Sequence, residues 1–196
     1  MVWDDLGRDA SKENDKQRDK WIGIYIGILA VILAICGMGG GNATKDSTLR
    51  NIEASDTWGQ YQAKSIRRSA VRLQIDDLML RLEAQPTMPD DAKKHIQAKI
   101  EEYRAYDKKL TTEPDKKEGM DELSVKAKVL EGERDNAMKR DPYFDYGQAL
   151  LQIAIVLASI SLVASGNLLL MGSFILGALG ALATFGGFTL AFPLPF

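Results

Sequence analysis

The sequence predicts an all-α integral membrane protein, with three transmembrane helices and an extramembrane helical hairpin or bundle. Three observations predict it. The 196 residues are 45% hydrophobic and 27% charged, but residues 21–38 hold no charged side chain. Nor does anything from Gly147 to Phe196. Apolar runs of this length are too long for a soluble surface and suit the hydrocarbon core of a bilayer. Between them the apolar residues recur at steps of three and four, with no alternating pattern of the kind strands need.

The elements follow in order. Residues 1–20 form a tail with 5 Lys/Arg and 6 Asp/Glu. The first span, residues 21–38, reads WIGIYIGILAVILAICGM. Its 18 residues reach about 27 Å as a helix, enough to cross. A charged tail before an apolar run also describes a cleaved signal peptide. However, Leu33-Ala34-Ile35-Cys36 carries bulky Ile where a lipoprotein signal needs a small residue, so a retained span is expected. Gly39-Gly40-Gly41 lacks the Gly-Lys-Ser/Thr ending of a phosphate loop and reads as a hinge at the membrane exit.

Residues 39–146 read as an extramembrane, coiled-coil-like helical domain. Thr44–Gln85 is a long helix with two stripes: Ala63, Ile66, Ala70, Leu73, Leu80 and Ala84, and beside it Val71, Ile75, Leu78 and Leu82. Two stripes imply two neighbours. Pro86 ends this helix, and Pro89 with Asp90-Asp91 starts the next, whose stripe is Ile96, Ile100, Tyr103 and Leu110. Thr111–Gly119 is a loop, after which Met120, Leu123, Ala127, Leu130 and Ala137 give a heptad stripe broken by Arg134. Asp141 and Pro142 suit a helix start. The second span is 147–165 and the third 168–191, joined tightly at Gly166-Asn167. Trp21, Tyr25, Tyr143, Phe144 and Tyr146 fall where an interfacial aromatic belt belongs.

Small residues in the spans are ordered. Gly23, Gly27, Ala30, Ala34, Gly37 and Gly41 follow steps of 4, 3, 4, 3 and 4. Ser173, Gly177, Gly180, Thr184, Gly187 and Ala191 repeat the same steps. The second span offers Ala154, Ala158, Ser161 and Ser165. Such seams let backbones approach closely, which drives helix association in lipid. They are the expected helix-packing residues, toward partners in the same chain or another. Asp145, Gln148 and Gln152 share one face of the second span, as interhelical hydrogen-bonding groups or as a polar path.

Composition excludes several chemistries. Lys and Arg number 25 against 27 Asp and Glu, for a net charge of −2, so no basic nucleic-acid face is implied. One Cys and one His exclude a Cys-cluster metal site and any two-histidine scheme. The acid pairs Asp76-Asp77, Asp90-Asp91 and Glu101-Glu102 are adjacent, and adjacent residues on a helix do not face each other. No catalytic residue, cofactor or metal is expected.

Two stretches carry a family resemblance: Asn51–Arg67 (NIEASDTWGQYQAKSIR) and Arg140–Val163 (RDPYFDYGQALLQIAIVLASISLV). With the one-plus-two arrangement of spans they resemble the bacterial membrane family catalogued as domain of unknown function 4337. Glu53, Ala54, Ser55, Asp56, Trp58, Tyr61, Gln62, Lys64 and Ile66 match its first motif. The resemblance implies no activity. It implies a turn between the last two spans on the inside and the helical domain outside. From the residues themselves, Trp58, Tyr61, Lys64 and Arg67 form either an internal packing surface, with the aromatics near Tyr143 and Phe144, or a partner patch.

The expected function is therefore a non-enzymatic membrane scaffold or accessory subunit. Its partners are the bilayer and either further copies of itself or a larger complex, with no nucleic acid. The expected site is the bacterial inner membrane, with a cytoplasmic N-terminus. The alternative is a channel or transport component, its path lined by Gln148, Gln152, Ser161 and Thr184.

Overall fold

The computed structural model describes residues 2–164 and 167–192, with side chains from Lys16 onward. Among these residues 90% are helical and none lies in a strand. The helices are α1 (Val2–Ala84), α2 (Asp90–Thr111), α3 (Met120–Met138), α4 (Asp141–Ala164) and α5 (Asn167–Thr189). Three helical segments are long and apolar enough to cross a membrane, one each at α1, α4 and α5. The 24 residues of α4 and 23 of α5 would each extend about 35 Å. Ser165 and Gly166, the second seam's last residue and the first half of the expected turn, lie outside the described residues. The chain divides into two compact units, Met1–Ser47 with Asp135–Phe196, and Thr48–Arg134.

In the first unit α4 and α5 pack antiparallel, with Gly147 beside Thr184, Leu151 beside Gly180 and Ala154 beside Gly177. The N-terminal part of α1 joins them through a core of Leu29, Cys36, Ala43, Phe144, Leu151 and Ala154. Glycine sets the helix separation. A Cβ on Gly180 would stand 2.8 Å from Leu151 Cγ and 3.1 Å from the Gly147 carbonyl oxygen. Four polar side chains inside the unit are satisfied by its own backbone. The Tyr25 hydroxyl donates to the Ser173 carbonyl at 2.9 Å, and the Ser173 hydroxyl donates to the Ala154 carbonyl at 2.7 Å. The Cys36 thiol donates to the Phe144 carbonyl at 3.2 Å, and Thr184 donates to the Gly180 carbonyl at 2.8 Å.

Two expectations are corrected here. The Gly39–Gly41 stretch is not a hinge, because α1 runs through it unbroken. Its glycines make room for a ring: a Cβ on Gly39 would lie 2.7 Å from Phe144 Cζ, and one on Gly40 3.1 Å from Phe144 Cβ. Phe144 and Tyr143 are buried against the chain's own helices; Phe144 is 2% exposed and stacks edge-on against Phe188. Ala191, placed in the third seam, lies beyond α5. That helix closes at Leu190, whose N–H makes a last helical bond to the Gly186 carbonyl at 2.7 Å and whose left-handed φ of 51° then turns the chain away.

In the second unit the C-terminal part of α1 and α2 form a hairpin around Val71, Ile75, Ile100 and Leu110, flanked by Leu78, Leu82, Ile96 and Tyr103. The turn between them contains Pro86 and Pro89, and Asp90 and Asp91 occupy the first turn of α2. Asp107 on α2 ties the hairpin by accepting from Arg68 Nε at 3.2 Å and Arg72 Nε at 3.0 Å. The hydrogen bond from Arg72, then its charge, hold the Asp107 carboxyl below its ordinary value of 3.8, with Arg68 adding to both effects. A depressed carboxylate pKa contributes stability above the ordinary value. That contribution disappears as pH falls through the depressed one. On α3 the stripe Met120, Leu123, Ala127 and Leu130 is buried. Arg50 binds Glu133 at 2.9 Å and Arg134 donates to Asn51 at 3.3 Å, tying α3 to α1.

The two stripes of α1 do not each face a helix of this chain. Val71, Ile75, Leu78 and Leu82 face α2. The other stripe faces no helix: Ile66 is 71% exposed, Leu73 69% and Leu80 63%, and Ala63, Ala70 and Ala84 are exposed too. The physical reason is rotation. Ile66, Leu73 and Leu80 each precede an inward position, Arg68, Ile75 and Leu82, by two residues, about 200° around the helix.

Candidate functional site

The helix-packing residues divide sharply. On α4, Ala154, Ala158 and Ser161 are buried, and on α5 so are Ser173, Gly177, Gly180, Thr184 and Gly187. These two seams serve packing within the chain. The α1 seam does not. Gly23, Gly27, Ala30, Ala34, Gly37 and Gly41 are all exposed, and a Cβ added at Gly23, Gly27, Gly37 or Gly41 meets nothing within 4 Å. The face that α1 turns to its own bundle is Ile22, Leu29, Cys36 and Ala43. Gly27, Ala34 and Gly41 sit two residues before Leu29, Cys36 and Ala43, on the opposite side of the helix. What α1 presents outward is a strip of near-bare backbone edged by exposed Ile24, Ile28, Val31 and Ile35.

Asp145, Gln148 and Gln152 are exposed on α4, away from the buried Ala154 and Ala158 face. Ser161 and Thr184 are buried, at 2% and 5% exposure. The structure therefore does not bring Gln148, Gln152, Ser161 and Thr184 to one path.

In the first family motif, Trp58 Nε1 donates to Glu131 on α3 at 3.0 Å, and its ring meets Tyr61 edge-on at 5.4 Å between centroids. Trp58, Tyr61 and Lys64 are half-buried, while Arg67 is exposed. Within its own unit Trp58 is held by α3, and within the other Phe144 packs against Gly39, Gly40 and Gly187. Sequence reasoning missed the seat of Phe144 and the Tyr25–Ser173 hydrogen bond. The signal for the first was present as glycines at Gly39, Gly40 and Gly187, a gap large enough for a ring. Tyr25 gave none, because an interfacial and a buried tyrosine look alike in sequence.

Among the described residues no group of three or more His, Cys, Asp or Glu could hold a metal ion. His95 is exposed on α2. An open hollow of about 560 Å³ beside the α2–α3 loop is lined by Pro114, Lys117, Asp121, Glu122, Val125 and Lys126.

The arrangement defines an all-α protein in which helices able to cross a membrane bracket a helical unit of opposite, charged character. The family model described as domain of unknown function, DUF4337, matches residues 18–190, and the chain belongs to that family. Comparison with curated proteins and with solved structures finds no match.

Proposed function

We propose that this chain is a non-enzymatic scaffold or accessory subunit of the bacterial inner membrane, crossing it three times and associating through α1. The observation that carries this reading is the unoccupied seam of Gly23, Gly27, Ala30 and Ala34. Two seams of the same spacing are already engaged inside the chain, so small residues at these steps pack helices here. The third faces outward with open space over its glycines. Close packing, not apolar burial, drives association in lipid, and small residues make it available. The exposed Gln148 and Gln152 add a second face able to hydrogen-bond across helices.

Gly27→Leu tests this. A bulky side chain where backbones are to touch costs about 1–3 kcal/mol by overpacking, comparable to one or more interhelical hydrogen bonds. The expected result is loss of the assembly in mild detergent, with the fold of the single chain intact because Gly27 touches nothing in it. Ile28→Leu, off the seam and already large, is the matched control. An assembly equally stable in both variants would remove the seam from the account.

In this reading the N-terminus is cytoplasmic and the helical unit external, since Lys16, Arg18 and Lys20 flank the first span. A cysteine at Lys117, in the exposed α2–α3 loop, in a Cys36→Ala chain, is expected to react with a membrane-impermeant maleimide in spheroplasts. Labelling only after the membrane is opened would reverse the orientation.

A further inference from the structure

Within Thr48–Arg134, α1 has two apolar faces and α2 covers one. The uncovered face follows an unbroken heptad: Ala63, Ala70, Asp77 and Ala84 at the first core position, with Ile66, Leu73 and Leu80 at the second. Over 22 residues this makes a seam about 32 Å long, with small and large side chains in alternate layers. A 3.5-residue repeat keeps such a face toward one helical partner in a left-handed coil.

The residues flanking the stripe identify the partner. On one side lie Arg67, Gln74 and Arg81; on the other lie Gln62, Ser69, Asp76 and Glu83. One flank therefore carries only positive charge and the other only negative, and all four charged residues are exposed. In a parallel two-fold pair, the basic flank of each helix meets the acidic flank of the other, bringing Asp76 of one chain to Arg81 of its neighbour. An antiparallel pair would set like charge on like charge along both flanks. Asp77 is the one charged core position, and Arg81 of its own helix neutralises it at 2.9 Å. In the in-register pair the two Asp77 side chains share one layer, and such a polar layer fixes register at a cost in stability, because slipping the coil would set each against an apolar layer.

We infer that a second copy of this chain docks in parallel along the Ala63–Ala84 stripe of α1, with Asp76 and Arg81 paired across the interface. This inference rests on the scaffold reading and names its partner.

The test uses the full-length chain in native membranes, with Cys36→Ala to remove the only thiol. Ala70→Cys, a near-isosteric change at an exposed core position of the coil, is expected to form a covalent dimer in most chains on mild oxidation. Ser65→Cys, on a flank turned away from the seam, is expected to give at least tenfold less. Equal yields would mean random collision and would overturn the inference. A charge exchange then tests the pairing. Asp76→Lys and Arg81→Glu, each in the Ala70→Cys chain, should each cut self-crosslinking several-fold. Co-expressed, they should restore it as a mixed dimer, since both cross-pairs again join opposite charges. Failure of the mixture to recover would overturn the parallel pairing. If Ala70→Cys gives no dimer but the chain still runs as a multimer by intact mass, this inference falls and the scaffold reading stands. A monomer without a partner removes both.

Discussion

Gly180→Ala is expected to destabilise the α4–α5 pair by about 1–3 kcal/mol, the usual range for an added methyl in a filled core. The added carbon would lie 2.8 Å from Leu151 Cγ and 3.1 Å from both the Leu151 nitrogen and the Gly147 carbonyl oxygen. A flexible side chain could swing aside. A backbone nitrogen and carbonyl in a helix cannot, so α4 must move bodily away from α5. Leu151 is fully buried and the Ser173 hydroxyl bonds the Ala154 carbonyl one turn away, so the displacement would disturb both. Gly172→Ala is the internal control, because its new carbon would meet only Leu157 Cδ1 at 3.7 Å, an ordinary contact. Equilibrium unfolding in mixed micelles measures both. Equal stability of the two variants would mean that glycine at position 180 does not set the helix separation.

Ile100→Ala is expected to have a still larger effect in the second unit, about 2–5 kcal/mol. Ile100 is 5% exposed and packs among Val71, Ile75 and Leu110, the centre of the hairpin. Domains are stable by only about 5–15 kcal/mol in all, so this one truncation removes a large share. Faster proteolysis at the two turns, Gln85–Pro89 and Thr112–Gly119, reads it out. Val125→Ala, at a residue 63% exposed on α3, should change cleavage little, within about 0.5 kcal/mol. Similar protease sensitivity of the two variants would contradict the core described for this unit.

The helical class and the helices able to span were legible in the sequence because charge is the strongest composition signal a membrane imposes. The charge-free run after Gly147 left few alternatives. Periodicity also gave the inner stripe of each helix, such as Val71, Ile75, Leu78 and Leu82. It could not say which of two stripes faces the chain's own partner, because both Leu73 and Ile75 satisfy a 3.5-residue repeat. The same limit applied to the three small-residue seams. Their spacing is identical, yet two are buried and one is bare, a distinction fixed by helix rotation alone. Gly39-Gly40-Gly41 misled for a different reason. Glycine serves bending and close approach equally well, and only the Phe144 ring, more than a hundred residues away in sequence, decides between them.

The central claim is that α1 carries an outward face made for another helix. Mass determination of the intact particle, released gently from the membrane into lipid nanodiscs, tests it most directly. The account predicts a multiple of the 21.6 kDa chain, or the chain bound stoichiometrically to a larger complex. A bare monomer in nanodiscs, with no co-purifying protein, would contradict it.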